Sequence, residues 1–171
     1  AESDGLGVGF NRFGRLALFQ ARTEQTIVFY QVSARSSRAI NIGQTRTRGL
    51  ELEGRGEGPW EVKITGNLTW QQATDQGPDP SYHGNDLPFL SDLVMWLRLG
   101  RTAGPWQPWV ELSWESEKFR DRANTKLDKA PARELFNLGL ARELEPDWLG
   151  VAGRLTVAAE VVNLLDNTVH D

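Results

Sequence analysis

Few residues of this chain have the types and spacing that chemistry requires. There is no cysteine and there are only two histidines, His83 and His170, so neither a zinc cluster nor a Cys–His nucleophile is available. Ser81, His83 and Asp86 share one segment but lie too close in sequence to form a triad, so a polar surface loop is expected there. Gly5-Leu-Gly-Val-Gly9 is glycine-rich yet opens no helix, which removes the phosphate-cradle interpretation and leaves a bent strand start. What remains is basic. Arg35 and Arg38 lie in one polar segment, and Arg120, Arg122, Lys126 and Lys129 in or beside another. Such groups attract and hold anions. No catalytic residue, metal site or cofactor is expected.

The elements that must position these residues are legible as a two-residue period. In Trp60-Glu-Val-Lys-Ile-Thr-Gly-Asn-Leu-Thr-Trp70 the even positions are apolar apart from Gly66, and Glu61, Lys63, Thr65, Asn67 and Thr69 are polar. Successive strand side chains point to opposite faces, so this is a ribbon with one oily and one wet side. The same alternation predicts strands over 4–10, 15–30, 45–54, 90–100, 109–120, 133–144 and 154–164, about eight in all. Val110, Leu112 and Trp114 oppose Glu111, Ser113 and Glu115; Ala17, Phe19, Val94 and Trp96 spoil the wet side of their segments. No helix-period segment is available to cover the oily faces. The fold class is therefore all-β, an antiparallel up-and-down meander.

Link lengths alternate. Short links are expected at 11–14, 55–59, 101–108 and 145–153, and long polar ones at 31–44, 72–88 and 121–132. Outer-membrane barrels sort their loops this way, with short periplasmic turns and long external loops. Trp60, Trp106, Trp109 and Trp148 sit in or beside the short links, where a membrane girdle would place them. The chain is 39% hydrophobic and has no apolar run of membrane-helix length, which a barrel does not need. A net charge of −4 argues against nucleic-acid binding. The first residues, Ala1-Glu-Ser-Asp4, have neither the basic nor the apolar region of a signal peptide.

Four motifs carry a family resemblance. Asn41-Ile-Gly-Gln-Thr-Arg-Thr-Arg-Gly-Leu-Glu51 resembles the N-x-G-x-x-x-x-x-G-x-E signature of TonB-dependent outer-membrane receptors. Gly66-Asn-Leu-Thr-Trp70 resembles the strand that follows, and Asp86-Leu-Pro-Phe89 the motif entering the next one. Ala159-Glu-Val-Val-Asn-Leu-Leu-Asp166 is similar to the family's penultimate-strand ending, with Asn163 and Asp166 as its polar members. The resemblance implies that residues 1–171 are the C-terminal segment of a barrel of about twenty-two strands, without plug or final closing strand. It implies transport rather than catalysis: import of a nutrient complex such as a ferric siderophore across the outer membrane of a Gram-negative cell. Partners would be outer-membrane lipid, lipopolysaccharide and the ligand, with TonB acting through a plug. Ligand contacts would come from Arg35, Arg38, Tyr82, His83, Arg120, Arg122 and Lys126. Asn41, Gly43, Gly49 and Glu51 are expected to be architectural: the glycines for close backbone approach, Glu51 for an inward hydrogen-bond network.

Two alternatives stay open at this stage, a small self-contained eight-stranded outer-membrane barrel and a soluble ligand-binding barrel. The inward set Glu51, Glu53, Glu61, Lys63, Arg98, Glu111, Glu115 and Glu160 is rich in acids. A narrow, dry barrel would have to pair them all, so the excess favours a wide, wet lumen.

Overall fold

The computed structural model describes residues 12–33, 36–145 and 153–167. Strands follow one another as β1 (Phe13–Ser33), β2 (Ser36–Glu57), β3 (Val62–Asp75), β4 (Leu93–Arg101), β5 (Trp106–Glu115), β6 (Lys118–Phe119), β7 (Lys129–Ala130), β8 (Arg133–Leu144) and β9 (Leu155–Val161). Seven of them form one antiparallel sheet in the order β1-β2-β3-β4-β5-β8-β9, and β6 pairs with β7 alone. β1 and β9 are opposite edges, so the sheet does not close on itself. This excludes a barrel closed by the described strands.

Register turns the alternation into two faces. One carries the cross-strand rows Leu16–Leu52–Leu68–Met95–Trp114 and Ile64–Leu99–Val110–Leu138–Val161. The other carries Arg15–Glu53–Asn67–Trp96–Ser113–Leu135 and Arg55–Thr65–Arg98–Glu111–Asn137. Pairing keeps the faces separate because a slip of one residue would exchange them. Large apolar side chains on the first face stay open; Leu18 is 77% exposed and Leu16 63%. They face outward without a covering layer. None of the described helices is long and apolar enough to cross a membrane, which says nothing against crossing by strands.

Aromatic side chains on the charged face have a physical reason that the alternation alone did not supply. Trp109 stands opposite Gly139, and a Cβ on that glycine would lie 2.2 Å from the indole. Phe19 stands opposite Gly49, whose Cβ would come within 2.6 Å of the phenyl ring and 2.4 Å of the Trp70 carbonyl oxygen. Each ring lies over a gap that glycine leaves in the pleat, a device that restores packing to a weak strand position. Trp109 was expected in the membrane girdle; its register puts it on the charged face instead, beneath the Arg98 guanidinium at 4.1 Å.

Several boundaries differ from expectation. The expected long loop 31–44 is strand: β1 runs to Ser33 and β2 starts at Ser36. These strands have 21 and 22 residues, about twice what a bilayer crossing needs. Their distal half stands at the end of the sheet where the long loops gather. Over 31–44 serine, arginine, asparagine and glutamine interrupt the apolar residues, so that stretch reads as a loop, although the period over 15–30 already carries β1 to Tyr30. The expected strand 109–120 begins earlier, at Trp106, and ends at Glu115 before a separate short β6. β9 stops at Val161, since Asn163 turns out of the ladder with φ +53°. The expected strand 4–10 lies outside the described residues, as do Arg35 and Trp148.

The link alternation holds at the described links; the short links expected at 11–14 and 145–153 lie wholly or partly outside the described residues. Trp60 and Glu61, both at φ +59°, make the tight turn between β2 and β3, closed by the Gly58 N–H donating to Val62 at 2.7 Å. Ala103 and Trp106 close the turn between β4 and β5. At the opposite end, segments 76–92 and 116–132 are long.

The two faces predict unequal responses to charge. Leu68→Arg, on the apolar row, is expected to weaken folding into a bilayer by about 2–4 kcal/mol. Asn67→Arg, one residue along and beside Glu53, should cost far less. Folding titrations of the two variants into phosphatidylcholine vesicles check this; equal losses would remove the membrane assignment.

Candidate functional site

The side chains buried among the described residues gather at the long-loop end, on a base that starts from a bulge. At Thr26 and Ile27 the ladder skips from Gly43 to Asn41, leaving Ile42 as an extra residue on β2. Gly43 has φ +84°, a region that favours glycine. Its N–H donates to the Asn41 side-chain oxygen at 2.8 Å. Ile42 is buried, and Gly77 and Pro78 of the 76–92 segment rest against the bulge. The Asn41-x-Gly43 pair thus provides a kinked, capped seat for a loop. Thr26 and Thr45 share a hydroxyl hydrogen bond beside it at 3.1 Å.

A clamp is built on that seat. Asp75, 1% exposed at the end of β3, accepts from the Gly77 N–H at 2.7 Å and from Arg122 Nε at 2.6 Å. The Arg122 guanidinium also stacks on the Tyr82 ring at 4.4 Å. Further bonds tie the two long segments together: the Asn85 side-chain amide donates to the Arg122 carbonyl at 2.9 Å, and Asn124 brackets Asp86 with one accepted and one donated bond. The Phe89 N–H donates to the Phe119 carbonyl at 2.8 Å. Asp75 closes an Asx turn onto glycine, and Asp75-x-Gly77 was a signal open to sequence reasoning.

The expected ligand contacts therefore divide. Tyr82 and Arg122 are spent inside the clamp. The His83 ring faces the Gly77 carbonyl at 3.1 Å, and Ser81 donates its N–H to Asp79, so Ser81, His83 and Asp86 form no triad. Arg120 lies 4.0 Å from Asp128. Arg38 is exposed and stands in β2 rather than in a loop. Lys126 is exposed next to Leu127, which is fully exposed. Among the described residues no cluster of metal-ligating side chains occurs. Asp92, at the entry to β4, has its carboxyl held above the ordinary carboxylate range by burial and by Asp86, against the pull of Lys129. A carboxyl raised in this way destabilises the fold when ionised, and that cost is relieved as pH falls through its folded value.

On the charged face a polar ladder crosses the sheet below these loops. Arg98 approaches Glu111 at 3.7 Å, Asn137 donates to Glu111 at 3.2 Å, and the Asn163 N–H donates to Asn137 at 2.9 Å. Asn163 also closes a turn onto Asn167 and accepts the Asp166 N–H at its carbonyl. Glu51 stands opposite Ala17 and Thr69 and joins no side-chain hydrogen bond among the described residues, so the inward network expected of it is not seen there. Sequence reasoning missed a second aromatic level. Trp70 and Trp114 lie on the apolar face near the long-loop end, with Trp60 and Trp106 near the other.

Breaking the clamp should open the loops without dissolving the sheet. Arg122→Met leaves the Asp75 carboxylate buried and unpaired, a loss of about 3–5 kcal/mol for a buried pair. Limited proteolysis of the detergent-solubilised protein should then cleave within 76–92, whereas Lys126→Ala should change nothing. Unchanged protection of that segment in the Arg122 variant would refute the clamp.

Similarity to known proteins agrees with this geometry. A family model described as TonB dependent receptor-like, beta-barrel, matches residues 3–164. No curated protein shows significant similarity to the chain. Solved structures do. The ferric citrate transporter FecA in its unliganded form superposes with a TM-score of 0.71 at 21% identity, over 91% of this chain and 24% of that one. BauA, the ferric preacinetobactin receptor from Acinetobacter baumannii, gives 0.70 at 15% identity over 91% and 23%. The copper transporter OprC gives 0.64 at 18% identity over 91% and 23%. The chain spans about a quarter of the length of these structures. An open antiparallel sheet with one oily and one charged face, loops sorted by end, and a family match along nearly its whole length lead to one assignment: the chain belongs to the TonB-dependent receptor β-barrel family.

Proposed function

We propose that residues 1–171 form the C-terminal segment of the barrel wall of an outer-membrane receptor that imports a metal chelate, a ferric siderophore or related iron complex first among them. The observation that carries this reading is the pair of faces: an apolar face bounded at both ends by tryptophan, and a charged face suited to a wide aqueous lumen. Trp70 lies eight residue steps beyond Val62, which at about 3.3 Å per step and the usual tilt crosses roughly 20 Å, close to the oily band of such barrels. The long-loop end would face the exterior and the short turns the periplasm. In this reading TonB acts through a plug, and the wall provides lumen lining and entrance.

Cargo class is supported by what the similar structures are named for: ferric citrate, ferric preacinetobactin and copper. Those names span more than one chelate, so the choice of ligand rests with loop residues. Arg38 and Lys126 are the described candidates whose cationic groups stay exposed, and an anionic chelate would meet them at the entrance.

The test is energised uptake. Cells relying on the intact receptor should accumulate labelled iron from at least one anionic ferric chelate, and deletion of TonB should abolish this. Arg38→Glu with Lys126→Glu should raise the half-saturating concentration about tenfold while leaving barrel assembly unchanged. Uptake that persists without TonB would favour a passive or structural barrel.

A further inference from the structure

The apolar face changes character abruptly at the long-loop end. Leu18 and Leu50 pair with each other and Leu50 with Trp70; one step further, Gln20, Arg48 and Gln72 form the next row on the same face, and Arg22, Arg46 and Thr74 the row after it. Three arginines thus stand on the outer face of β1 and β2, about 7–14 Å beyond the level of Trp70 at the strand rise. Arg22 and Arg46 are direct cross-strand partners, an arrangement of like charges that is unfavourable unless something anionic offsets it. No described residue does. Arg46 donates to the neutral Gln20 amide oxygen at 3.0 Å, and Arg48 to that of Gln72 at 3.1 and 2.6 Å. None of the three makes an ion pair with a described carboxylate, and Glu24, the next acidic residue on β1, pairs with none of them. The Nε–H of Arg46 is buried without any partner.

We propose that Arg22, Arg46 and Arg48 form a binding site for the phosphate groups of an outer-leaflet glycolipid, the phosphorylated anchor of lipopolysaccharide. The inference rests on the membrane reading given above and adds a site to it. Arginine's planar donor fork suits phosphate oxygens, and the two glutamine amides hold the Arg46 and Arg48 guanidinium groups in place. The occupant is a lipid because the patch continues the apolar face directly. Acyl chains would run along the row of Leu18, Leu50 and Trp70, leaving the headgroup at the arginines. This surface lies on the other side of the sheet from the lumen, so it is separate from any path the imported ligand takes.

The experiment uses the intact receptor purified in mild detergent from lipopolysaccharide-bearing outer membranes, with retained glycolipid counted by native mass spectrometry. Wild type should keep glycolipid, and Arg22→Gln/Arg46→Gln/Arg48→Gln should keep about tenfold less. The corresponding triple lysine variant, which keeps the charge but not the planar fork, should retain an amount between the two. Arg22→Gln alone removes a side chain with no described hydrogen bond, so its partial loss of binding separates recognition from folding. A control on the charged face, Lys63→Gln with Arg98→Gln, should bind as wild type. Phosphatidylcholine vesicles containing bis-phosphorylated lipid A should rebind to stripped protein, vesicles with dephosphorylated lipid A should not, and excess inorganic phosphate should fail to compete. Equal retention by wild type, Arg22→Gln and the triple glutamine variant would overturn the site, as would equal binding of dephosphorylated lipid A. Full competition by inorganic phosphate would convert it to a free-anion site and overturn the lipid assignment. Retention is read on the folded protein independently of uptake: loss of transport with glycolipid kept would defeat only the import proposal, whereas failure to enter membranes would defeat both.

Discussion

Hydrocarbon offers no hydrogen-bond partner, so each strand that crosses it must give every backbone N–H and C=O to a neighbouring strand. The rest of this structure depends on that constraint. It makes the ladder continuous from β1 to β9 and so fixes the register of every strand against the next. Once register is fixed, the two-residue period decides which side chains meet lipid and which meet water. The chain needs no buried apolar core of the usual kind: the described buried apolar residues are Ile42, Ala73 and Ala130, all at or beyond the loop end. Its apolar surface is covered by solvent lipid instead.

Irregularity is admitted only where that constraint relaxes. Gly43 and Gln25 adopt positive φ above the crossing, where water or a side chain can take up a freed backbone group, and Asn41 does so for Gly43. Within the crossing, glycines at 49 and 139 keep extended geometry and are filled from across the ladder by Phe19 and Trp109. One residue type thus serves two purposes, set by height in the membrane. The stacking of Arg98 on Trp109 adds a third layer over Gly139 and links the ring to the Glu111 ladder.

Where one face is oily and the other wet, sequence sufficed: β3 and β5 were legible because Ile64, Leu68, Val110 and Leu112 alternate with mostly polar neighbours, and β8 because Phe136, Leu138 and Leu140 recur at every second position. The family followed from four motifs in order, of which the Asn41-to-Glu51 run comes first. The distal part of β2, from Ser36 to Gln44, was not legible, because its serine, arginine, asparagine and glutamine give it the composition of a loop, whereas β1 was read as strand to Tyr30 and missed only over its last three residues. The face of Trp109 was obscured by counting its position near a turn rather than its parity with Glu111. The clamp was the least accessible part. Asp75 and Arg122 are 47 residues apart, and no local pattern announces that a carboxylate at the end of one strand will meet a guanidinium in a loop two hairpins on. Long-range pairing of loops is a tertiary fact, whereas strand parity is a local one.

The clamp also reorders expectation about which loop groups meet a ligand. A cation whose donors are already committed to a buried carboxylate cannot turn to a visitor without exposing that carboxylate to an apolar, unpaired state. Arg122 is in that position, and its stacking on Tyr82 removes the ring face as well. On the import reading proposed above, recognition falls to groups held up by the clamp rather than composing it. The exposed stretch around Lys126 and Leu127 is anchored on both sides, through Asp121 bonded to Thr125 and through the Asp128 carbonyl that accepts the Arg120 N–H. The 116–132 loop is therefore a projecting tip on a rigid base. In such an arrangement ligand specificity can change through tip residues while Asp75, Arg122 and Asn124 keep the base, which is the division of labour expected when one barrel fold serves ferric citrate, ferric preacinetobactin and copper in different proteins.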